Sequence, residues 1–163
     1  MQKEERSSYE QVCDSVQKIY ISQIGVRELT GHNDGKQVEM YLASVGLSKG
    51  YPYCAAGVHW ALNKAGVKNT INGSATTSFN IKSPVWYQRR MIETPHSADV
   101  VSFFYPSMGR IAHTGFYDRE INSSIYESVE FNTNDDGSRD GIGVFRKKRS
   151  YNSTYAISRW VKQ

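Results

Sequence analysis

The order of two hydrophobic patterns along the chain limits the fold more than any other feature of the sequence. Apolar residues follow helical spacing through the first 66 residues. From Ala98 onward the pattern changes to β-rich runs that are separated by polar turns. Helices first and strands later predict an α+β domain in which N-terminal helices pack on an antiparallel sheet of the C-terminal half.

Three helices are expected in the N-terminal part. The first follows a polar, flexible tail over residues 1–7, with Ser8 and Gln11 at capping-box spacing. Glycines mark the ends of the other two helices. Their predicted boundaries are Asn33 or Asp34 to Gly46 for the second helix and Tyr53 or Cys54 to Gly66 for the third.

Four strands are expected after Ala98, and one more helix before them. The stretch SPVWYQRRMI has Ser83 in a capping position and Pro84 in the first turn, which predicts a short helix. The polar segments between the later β-rich runs suit antiparallel hairpins. The four predicted strands cover residues 98–105, 112–120, 124–132 and 141–149.

Length and composition indicate a single domain. A chain of 163 residues with 39% hydrophobic residues can form one ordinary core, so residues 1–163 are expected to form one catalytic domain. No apolar run approaches the roughly 20 residues that cross a bilayer, and the N-terminus lacks the apolar stretch of a secretory signal. We expect a protein made in the cytoplasm without a signal peptide and without membrane insertion. The formal net charge of +4 is too mild to indicate nucleic acid as a partner.

The two cysteines differ in their settings. Cys13 lies inside a helical pattern and is expected to be a small core residue. Cys54 stands at the first turn of a predicted helix, where the macrodipole and free backbone N–H groups favour a thiolate. The same N–H groups are placed to hold an oxyanion. The spacing of the two cysteines indicates neither a zinc site nor a disulfide framework, although one bridge between them stays open.

A histidine suited to act as a base lies downstream. His113 opens a predicted strand directly after a hairpin loop, among small neighbours. His59 is five residues after Cys54 on the same helix, roughly 140° around its axis, so it is expected to point elsewhere. His32 and His96 lie in loops and are expected to be solvated, although the loop of His32 is one that can line the same cleft.

The next strand offers groups to orient the imidazole of His113. Glu130 and Asn132 are two residues apart, so both are predicted to share one face of the strand, with Glu127 on the other. Either Glu130 or Asn132 can accept a hydrogen bond from His113. A cysteine, a histidine and a third polar group are the parts of a Cys/His acyl-transfer site.

Five segments together resemble one family of enzymes. YPYCAAGVHWALNKAG, SADVVSFF, HTGFY, VEFNTN and GIGVFRKKR, in this order, are similar to the CHAP amidase/peptidase domain of bacterial and phage cell-wall hydrolases, which is related to NlpC-type and papain-like cysteine peptidases. The resemblance spans roughly residues 28–149 and implies a papain-like, NlpC-like fold. It departs from the family at Gly57 and Val58, near a point where a bulky aromatic residue is common.

The resemblance implies hydrolysis of an amide bond in peptidoglycan. Cys54 would be the nucleophile, His113 the base and Glu130 the orienting group, with Asn132 in the polar support. The bond is either the N-acetylmuramoyl-L-alanine amide or a link in the stem peptide or cross-bridge. No metal and no organic cofactor are needed.

Two aromatic residues are weaker candidates for contact with substrate. Tyr53 is either a helper at the oxyanion through its hydroxyl or a packed aromatic residue. Trp86, together with Trp60, is a candidate for lining a substrate groove, although large aromatic side chains are more often part of a core.

Other functions remain open from the sequence. A transglutaminase-like enzyme would use the same order of cysteine, histidine and carboxylate. A non-catalytic module would bind wall polymer or nucleic acid through FRKKRS and the neighbouring Tyr151 and Tyr155. As a hydrolase without a signal peptide, the protein would reach the periplasm or cell wall as a phage or prophage lysin, or as an interbacterial toxin with an immunity partner.

Overall fold

The computed structural model describes residues 7–134 and 141–163. Within these residues it contains α1 (Ser8–Ser22), α2 (Lys36–Ser44) and α3 (Cys54–Lys64), and then seven strands. The strands are, in chain order, β1 (Pro84–Tyr87), β2 (Arg90–Met91), β3 (Val100–Tyr105), β4 (Arg110–Asn122), β5 (Ile125–Thr133), β6 (Gly143–Ser150) and β7 (Ala156–Ser158). They form one antiparallel sheet in the order β2-β1-β7-β3-β4-β5-β6. The predicted α+β class, the three helices and the four strands after Ala98 are confirmed.

Both faces of the sheet are covered. Val100 belongs to a core that the sheet shares with the three helices, whereas the next residue, Val101, belongs to a second cluster with Tyr117 and Tyr126. Successive residues of a strand point to opposite faces, so the second cluster lies on the face away from the helices. Strand β5, which is paired on both sides, is therefore buried along its length after Ile125.

The first helix begins one residue earlier than predicted. Ser7, and not Ser8, is the N-cap, and its hydroxyl accepts from the backbone N–H of Glu10 at 3.2 Å. The Glu10 carboxylate accepts from the backbone N–H of Ser7 at 2.9 Å, which completes a capping box. A carboxylate at this position also interacts favourably with the helix dipole, which the amide of Gln11 does not.

The predicted cap of α2 is wrong. The N-cap is Gly35, at a φ of +103°, rather than Asn33 or Asp34. The Asp34 carboxylate instead accepts from the hydroxyl of Thr30 at 2.6 Å and from its backbone N–H at 2.9 Å. The side chain that resembles a helix cap in the sequence therefore closes the preceding loop.

The short helix predicted over residues 83–92 is also wrong. This segment forms the hairpin of β1 and β2, whose two turn residues, Gln88 and Arg89, have φ values of +51° and +60°. Two successive left-handed residues make the tight turn that matches the twist of paired strands. Strand β1 is held by β7, with Trp86 opposite Ile157, and this partner comes from a distant part of the sequence.

Strand β7 lies between β1 and β3 and was missed in the sequence because it is only three residues long. A buried ion pair fixes the chain directly after it. Arg159 donates from Nε and Nη2 to the two oxygens of Asp99, each at 2.9 Å. No helix in the described parts of the chain has the length and apolar character that crossing a bilayer requires.

Candidate active site

Cys54 is the first residue of α3, as predicted. The N-cap residue, Tyr53, makes no side-chain hydrogen bond to the first turn, so no side chain of the cap blocks the backbone N–H groups there. Cys54 is buried and unbonded to Cys13, since both cysteines are free. Cys54 therefore stands at the positive end of the α3 dipole. Cys13 belongs to the helical core, as expected.

A glycine allows α3 to lie against the sheet. A Cβ atom at Gly57 would stand 2.2 Å from the ring of Phe131 on β5. A side chain at this position would overlap the ring of Phe131, which fills the space beside the helix. Gly57 also brings the start of α3 close to the strands that carry the other polar groups.

His113 and Glu130 form a buried pair. The Nε2 atom of His113 lies 2.7 Å from Oε2 of Glu130. Burial lowers the pKa of His113, but hydrogen bonding with Cys54 and Glu130 and the negative charge of Glu130 raise it to about 9. Because Nε2 is engaged by Glu130, Nδ1 is the ring nitrogen left for the thiol of Cys54.

Glu130 is held by two further residues that sequence analysis missed. Arg149 on β6 donates from Nε to Oε1 at 2.7 Å and from Nη2 to Oε2 at 2.6 Å. Ser128 donates its hydroxyl to Oε1 at 2.6 Å. Burial alone would raise the pKa of Glu130, but the hydrogen bonds and charges of Arg149 and His113 hold it well below its ordinary value.

Only part of this network has a signal in the sequence. Ser128 is two residues before Glu130, so strand alternation places it on the same face. Arg149 lies in the segment RKKR, and the choice among its four basic residues depends on the register of β6 against β5. That register pairs Tyr126 with Arg149, which places the arginine on the face of Glu130.

Gly115 makes room for the Glu130 side chain. The two residues are opposite each other on β4 and β5, and a Cβ atom at Gly115 would lie 2.7 Å from Cγ of Glu130. The Glu130 carboxylate therefore reaches His113 across the bare backbone of the neighbouring strand. The HTG motif thus supplies both the imidazole and the gap beside it.

Asn132 lies close to these groups but outside the hydrogen-bond network. The register of β5 against β6 shifts between Glu130 and Thr133, and Asn132 has a left-handed φ of +53°. Its side-chain oxygen is buried and has no hydrogen-bond partner. Of the two candidate partners for His113, Glu130 and Asn132, the one that bonds to it is therefore Glu130.

A cleft of about 740 Å³ opens at Cys54. His113 and Asn132 line it beside the cysteine, and His32 and Arg110 stand in its walls. The loop of His32 thus contributes to the cleft, as the sequence allowed. In the described residues, no group of three or more histidine, cysteine, aspartate or glutamate side chains is placed to hold a metal ion.

The other two histidines are used in the scaffold. His59 on α3 has its Nδ1 atom 2.9 Å from the side-chain oxygen of Asn69. The ring of His96 packs edge-on against Tyr9, at 6.0 Å between centroids. Neither residue is among those that line the cleft in the described parts of the chain.

The two aromatic candidates are both packed residues. Tyr53 is fully buried against Tyr41, and burial, followed by the negative charge of Glu28, raises the pKa of its hydroxyl. Trp86 packs against Tyr151 on the face of the sheet away from the helices. Among the described residues, neither lines the cleft at Cys54.

The fold is similar to those of solved peptidoglycan hydrolases. The peptidoglycan hydrolase RipB from Mycobacterium tuberculosis matches with a TM-score of 0.56 at 16% sequence identity, over 98% of this chain and 69% of that chain. A variant of the Resuscitation Promoting Factor Interacting protein RipA matches with a TM-score of 0.52 at 14% identity, over 99% and 67%. This likeness establishes the papain-like, NlpC-like α+β fold.

Two further findings define the reach of these similarities. Three of the matching RipA structures are variants, which are changed at a glutamate, at a histidine and at a cysteine. No family model matches the present chain, and no curated protein matches it in sequence.

Proposed function

We propose that this protein is a peptidoglycan hydrolase that cleaves an amide bond through a thioester on Cys54. The buried pair of His113 and Glu130 beside a cysteine at a helix start is the observation that carries this proposal. The similarity of the fold to RipB, a peptidoglycan hydrolase, supports it. The RipA variants add support, because they alter the same three residue types.

The first chemical step uses the charges that the site already stabilises. Hydrogen bonding with Cys54 and Glu130 and the charge of Glu130 raise the pKa of His113, so the imidazole can take and hold the proton of the Cys54 thiol. The thiolate attacks the carbonyl carbon of the scissile amide. Backbone N–H groups at the start of α3 stabilise the oxygen that becomes negative.

The second step returns the proton. His113 donates the Nδ1 proton to the leaving amine, and the C–N bond breaks to leave a thioester on Cys54. His113 then accepts a proton from water as this water attacks the thioester, which releases the acid and restores the thiolate. Glu130 keeps its bond to Nε2 throughout and acts as a positioning residue for the imidazole.

Asn132 is assigned to substrate binding in this mechanism. Its side-chain oxygen is buried and has no partner in the protein, and the residue lines the cleft beside Cys54. A buried acceptor without a partner costs about 1–3 kcal/mol, which an N–H group of a bound peptide would recover. We therefore assign Asn132 to an N–H near the scissile bond.

The narrower parts of the proposal rest on the sequence. The order of the cysteine, Asp-Val-Val, His-Thr-Gly and Glu-x-Asn segments supports a CHAP-type amidase or peptidase. The bond that such an enzyme cleaves would be the N-acetylmuramoyl-L-alanine amide or a link in the stem peptide or cross-bridge. The protein would act in the periplasm or cell wall, either as a lysin or as an interbacterial toxin with an immunity partner.

Digestion of purified cell walls tests this function. The wild-type protein is expected to release muropeptides, and mass spectrometry of the products identifies the bond that is cut. Cys54→Ala should abolish release with the fold retained, and Cys13→Ala, the matched control, should leave release largely intact. An active Cys54→Ala protein would contradict the proposal.

Two further outcomes would redirect the assignment. Loss of activity with a chelator, restored by zinc, would indicate a metalloamidase. Crosslinking of glutamine to lysine side chains, without release of muropeptides, would indicate a transglutaminase-like enzyme.

A further inference from the structure

A second concave surface lies next to the cleft. It has a volume of about 560 Å³ and is lined by three aromatic rings, from Tyr87, Phe104 and Tyr155. Phe104 stacks on Tyr155 at 5.6 Å between centroids, and 41% of its surface is exposed. We call this surface the aromatic groove.

Exposed polar residues also line the aromatic groove. They are Gln88 and Arg89, which form the turn of the hairpin between β1 and β2, and Asn152. Amide side chains both donate and accept hydrogen bonds. The groove therefore combines flat apolar faces with groups of both hydrogen-bonding types.

The aromatic groove and the cleft share a wall. Tyr155 packs against a small cluster made of Cys54, Ala75 and Ile111. Phe104 in the groove is opposite Ile111 on the neighbouring strand, and Arg110, the residue before Ile111, lines the cleft. One strand thus separates the two surfaces, so a single polymer can occupy both.

The sheet around the groove favours a ring-shaped ligand over an extended peptide. A peptide is commonly bound as an added strand on an exposed sheet edge. Strands β1, β7 and β3, which carry the three aromatic residues or adjoin them, each have a paired strand on both sides. Their main-chain groups are already used, so recognition must depend on ring faces and side chains. A pyranose ring, with an apolar C–H face and a polar rim, matches this chemistry.

We propose that the aromatic groove binds an N-acetylated sugar of the glycan strand while Cys54 attacks an amide in the peptide attached to it. The proposal rests on the proposed function for the identity of the polymer. Phe104 supplies the ring on which the sugar stacks, and Gln88 and Asn152 bind its polar substituents. Binding energy from this remote part of the substrate positions the scissile amide.

Glycan binding can be measured without hydrolysis. The Cys54→Ala protein is titrated calorimetrically with peptide-free glycan strands of alternating N-acetylglucosamine and N-acetylmuramic acid. Adding Phe104→Ala should weaken binding about tenfold, because a stacked aromatic contact is lost. Phe104→Tyr, which keeps the ring, should bind within about threefold of the parent. Ile121→Ala is the matched control, since Ile121 is 44% exposed and lines neither surface.

Each outcome bears on one proposal or the other. Glycan binding that depends on Phe104 supports the aromatic groove, even if the wild-type protein cuts no wall and the proposed function fails. Absent glycan binding, or binding indifferent to Phe104→Ala, overturns the groove proposal while wall hydrolysis by Cys54 still stands. Binding of a free stem peptide that depends on Phe104 would make the groove a peptide site and also overturn the proposal.

Discussion

Two buried carboxylates in this protein each accept two hydrogen bonds from one arginine, but their roles in the protein differ. Glu130 is bound by Arg149 and Asp99 by Arg159. Both carboxylates are almost fully buried. The arginine contacts alone do not distinguish them, so the distinction lies in what else each carboxylate and each arginine touches.

The remaining acceptor sites of the two carboxylates differ. Glu130 accepts from the imidazole of His113 at 2.7 Å, whereas Asp99 accepts from the backbone N–H of His96 at 2.9 Å. Arg159 also shares its charge with Glu93, at 2.6 Å from Nη1. Burial is the largest influence on both carboxylates: it raises the pKa of Asp99 despite Arg159, whereas in Glu130 it is outweighed by Arg149 and His113, which together lower the pKa.

A buried arginine–carboxylate pair therefore has two different roles in this protein. Where the carboxylate of such a pair also accepts from a backbone N–H, the pair holds two chain segments together. Where the carboxylate also accepts from a titratable ring, the pair fixes the position of that ring and favours its charged form. Removing the two carboxylate charges should therefore affect different properties of the protein.

The largest expected effect comes from Glu130→Gln. The amide keeps the size of the side chain but removes the charge that stabilises the imidazolium, so turnover on cell walls should fall roughly 100-fold or more. Alkylation of Cys54 at neutral pH should slow as well. Steady-state rates and iodoacetamide kinetics measure the two effects.

Asp99→Asn is the matched comparison. It leaves Arg159 buried without its full partner, so the free energy of unfolding should fall by about 3 kcal/mol while turnover per folded molecule is kept. Urea denaturation and active-site titration separate these quantities. A stable but inactive Asp99→Asn protein would refute the division of roles.

Gly115→Ala should have the next largest effect. Its new methyl group would stand 2.7 Å from both Cγ of Glu130 and the carbonyl oxygen of Val129, so one of them must move. We expect a loss of about 1–3 kcal/mol in stability and about tenfold in turnover. If stability falls but turnover per folded molecule does not, the gap beside His113 has no part in positioning Glu130.

The pH dependence of stability should follow His113, whose pKa is raised by hydrogen bonding with Cys54 and Glu130 and by the charge of Glu130. His113 has a pKa of about 9 in the folded protein, above its ordinary 6.5. Between these values the unfolded chain releases the proton first, so the stabilisation present below about pH 6.5 should be lost as the pH rises toward about 9. Urea denaturation at several pH values should show this decline in the wild type and in Asp99→Asn. Glu130→Gln should reduce this decline without removing it, because hydrogen bonding with Cys54 also raises the pKa of His113, and an unchanged slope in that variant would exclude Glu130 as a cause.

A smaller effect is expected from Asn132→Ala. The side-chain oxygen of Asn132 has no partner in the protein, so its removal should cost only the hydrogen bond to substrate. The binding free energy lost is about 1 kcal/mol, which raises KM severalfold with little change in kcat. Initial rates over a range of wall concentrations separate the two constants. If Asn132→Ala greatly lowers kcat while Glu130→Gln does not, Asn132 and not Glu130 orients the imidazole.

Glu127→Gln should have the smallest effect on turnover. Glu127 bonds to Arg119 at 2.7 Å and to Arg146 at 3.1 Å, on the face of β5 away from Glu130. We expect turnover within about twofold of the wild type, because partly exposed ion pairs contribute little. A large loss of turnover would mean that charge anywhere on β5 affects the site.

The sequence was sufficient for features that depend on local order. The start of α3 at Cys54 follows from a turn that precedes apolar residues at helical spacing. Strand alternation places Glu127 and Glu130 on opposite faces of β5. Strand alternation failed to define Asn132, because a shift in register turns its backbone to a positive φ. Arg149 was missed for a different reason, since which of the four basic residues in RKKR faces Glu130 depends on how β6 pairs with β5.

Long-range pairing also explains the wrong helix over residues 83–92. Ser83 and Pro84 satisfy local rules for a helix start, but the segment gains a strand partner in β7, about 70 residues later. A propensity of a few tenths of a kcal/mol per residue is outweighed by such pairing. The same hairpin carries Trp86, a sequence-based candidate for lining a substrate groove, to the cluster on the face of the sheet away from the helices.

The late position of β7 in the sequence has a consequence during synthesis. Cys54, His113, Glu130 and Arg149 all precede β7, whereas the hairpin of β1 and β2 reaches β3 only through it. A domain generally folds as a unit during synthesis. A chain that stops after Arg149 would contain these four residues but lack the strand that joins the β1–β2 hairpin to β3, so Tyr87 and Tyr155 come together only when the last residues of the domain are available.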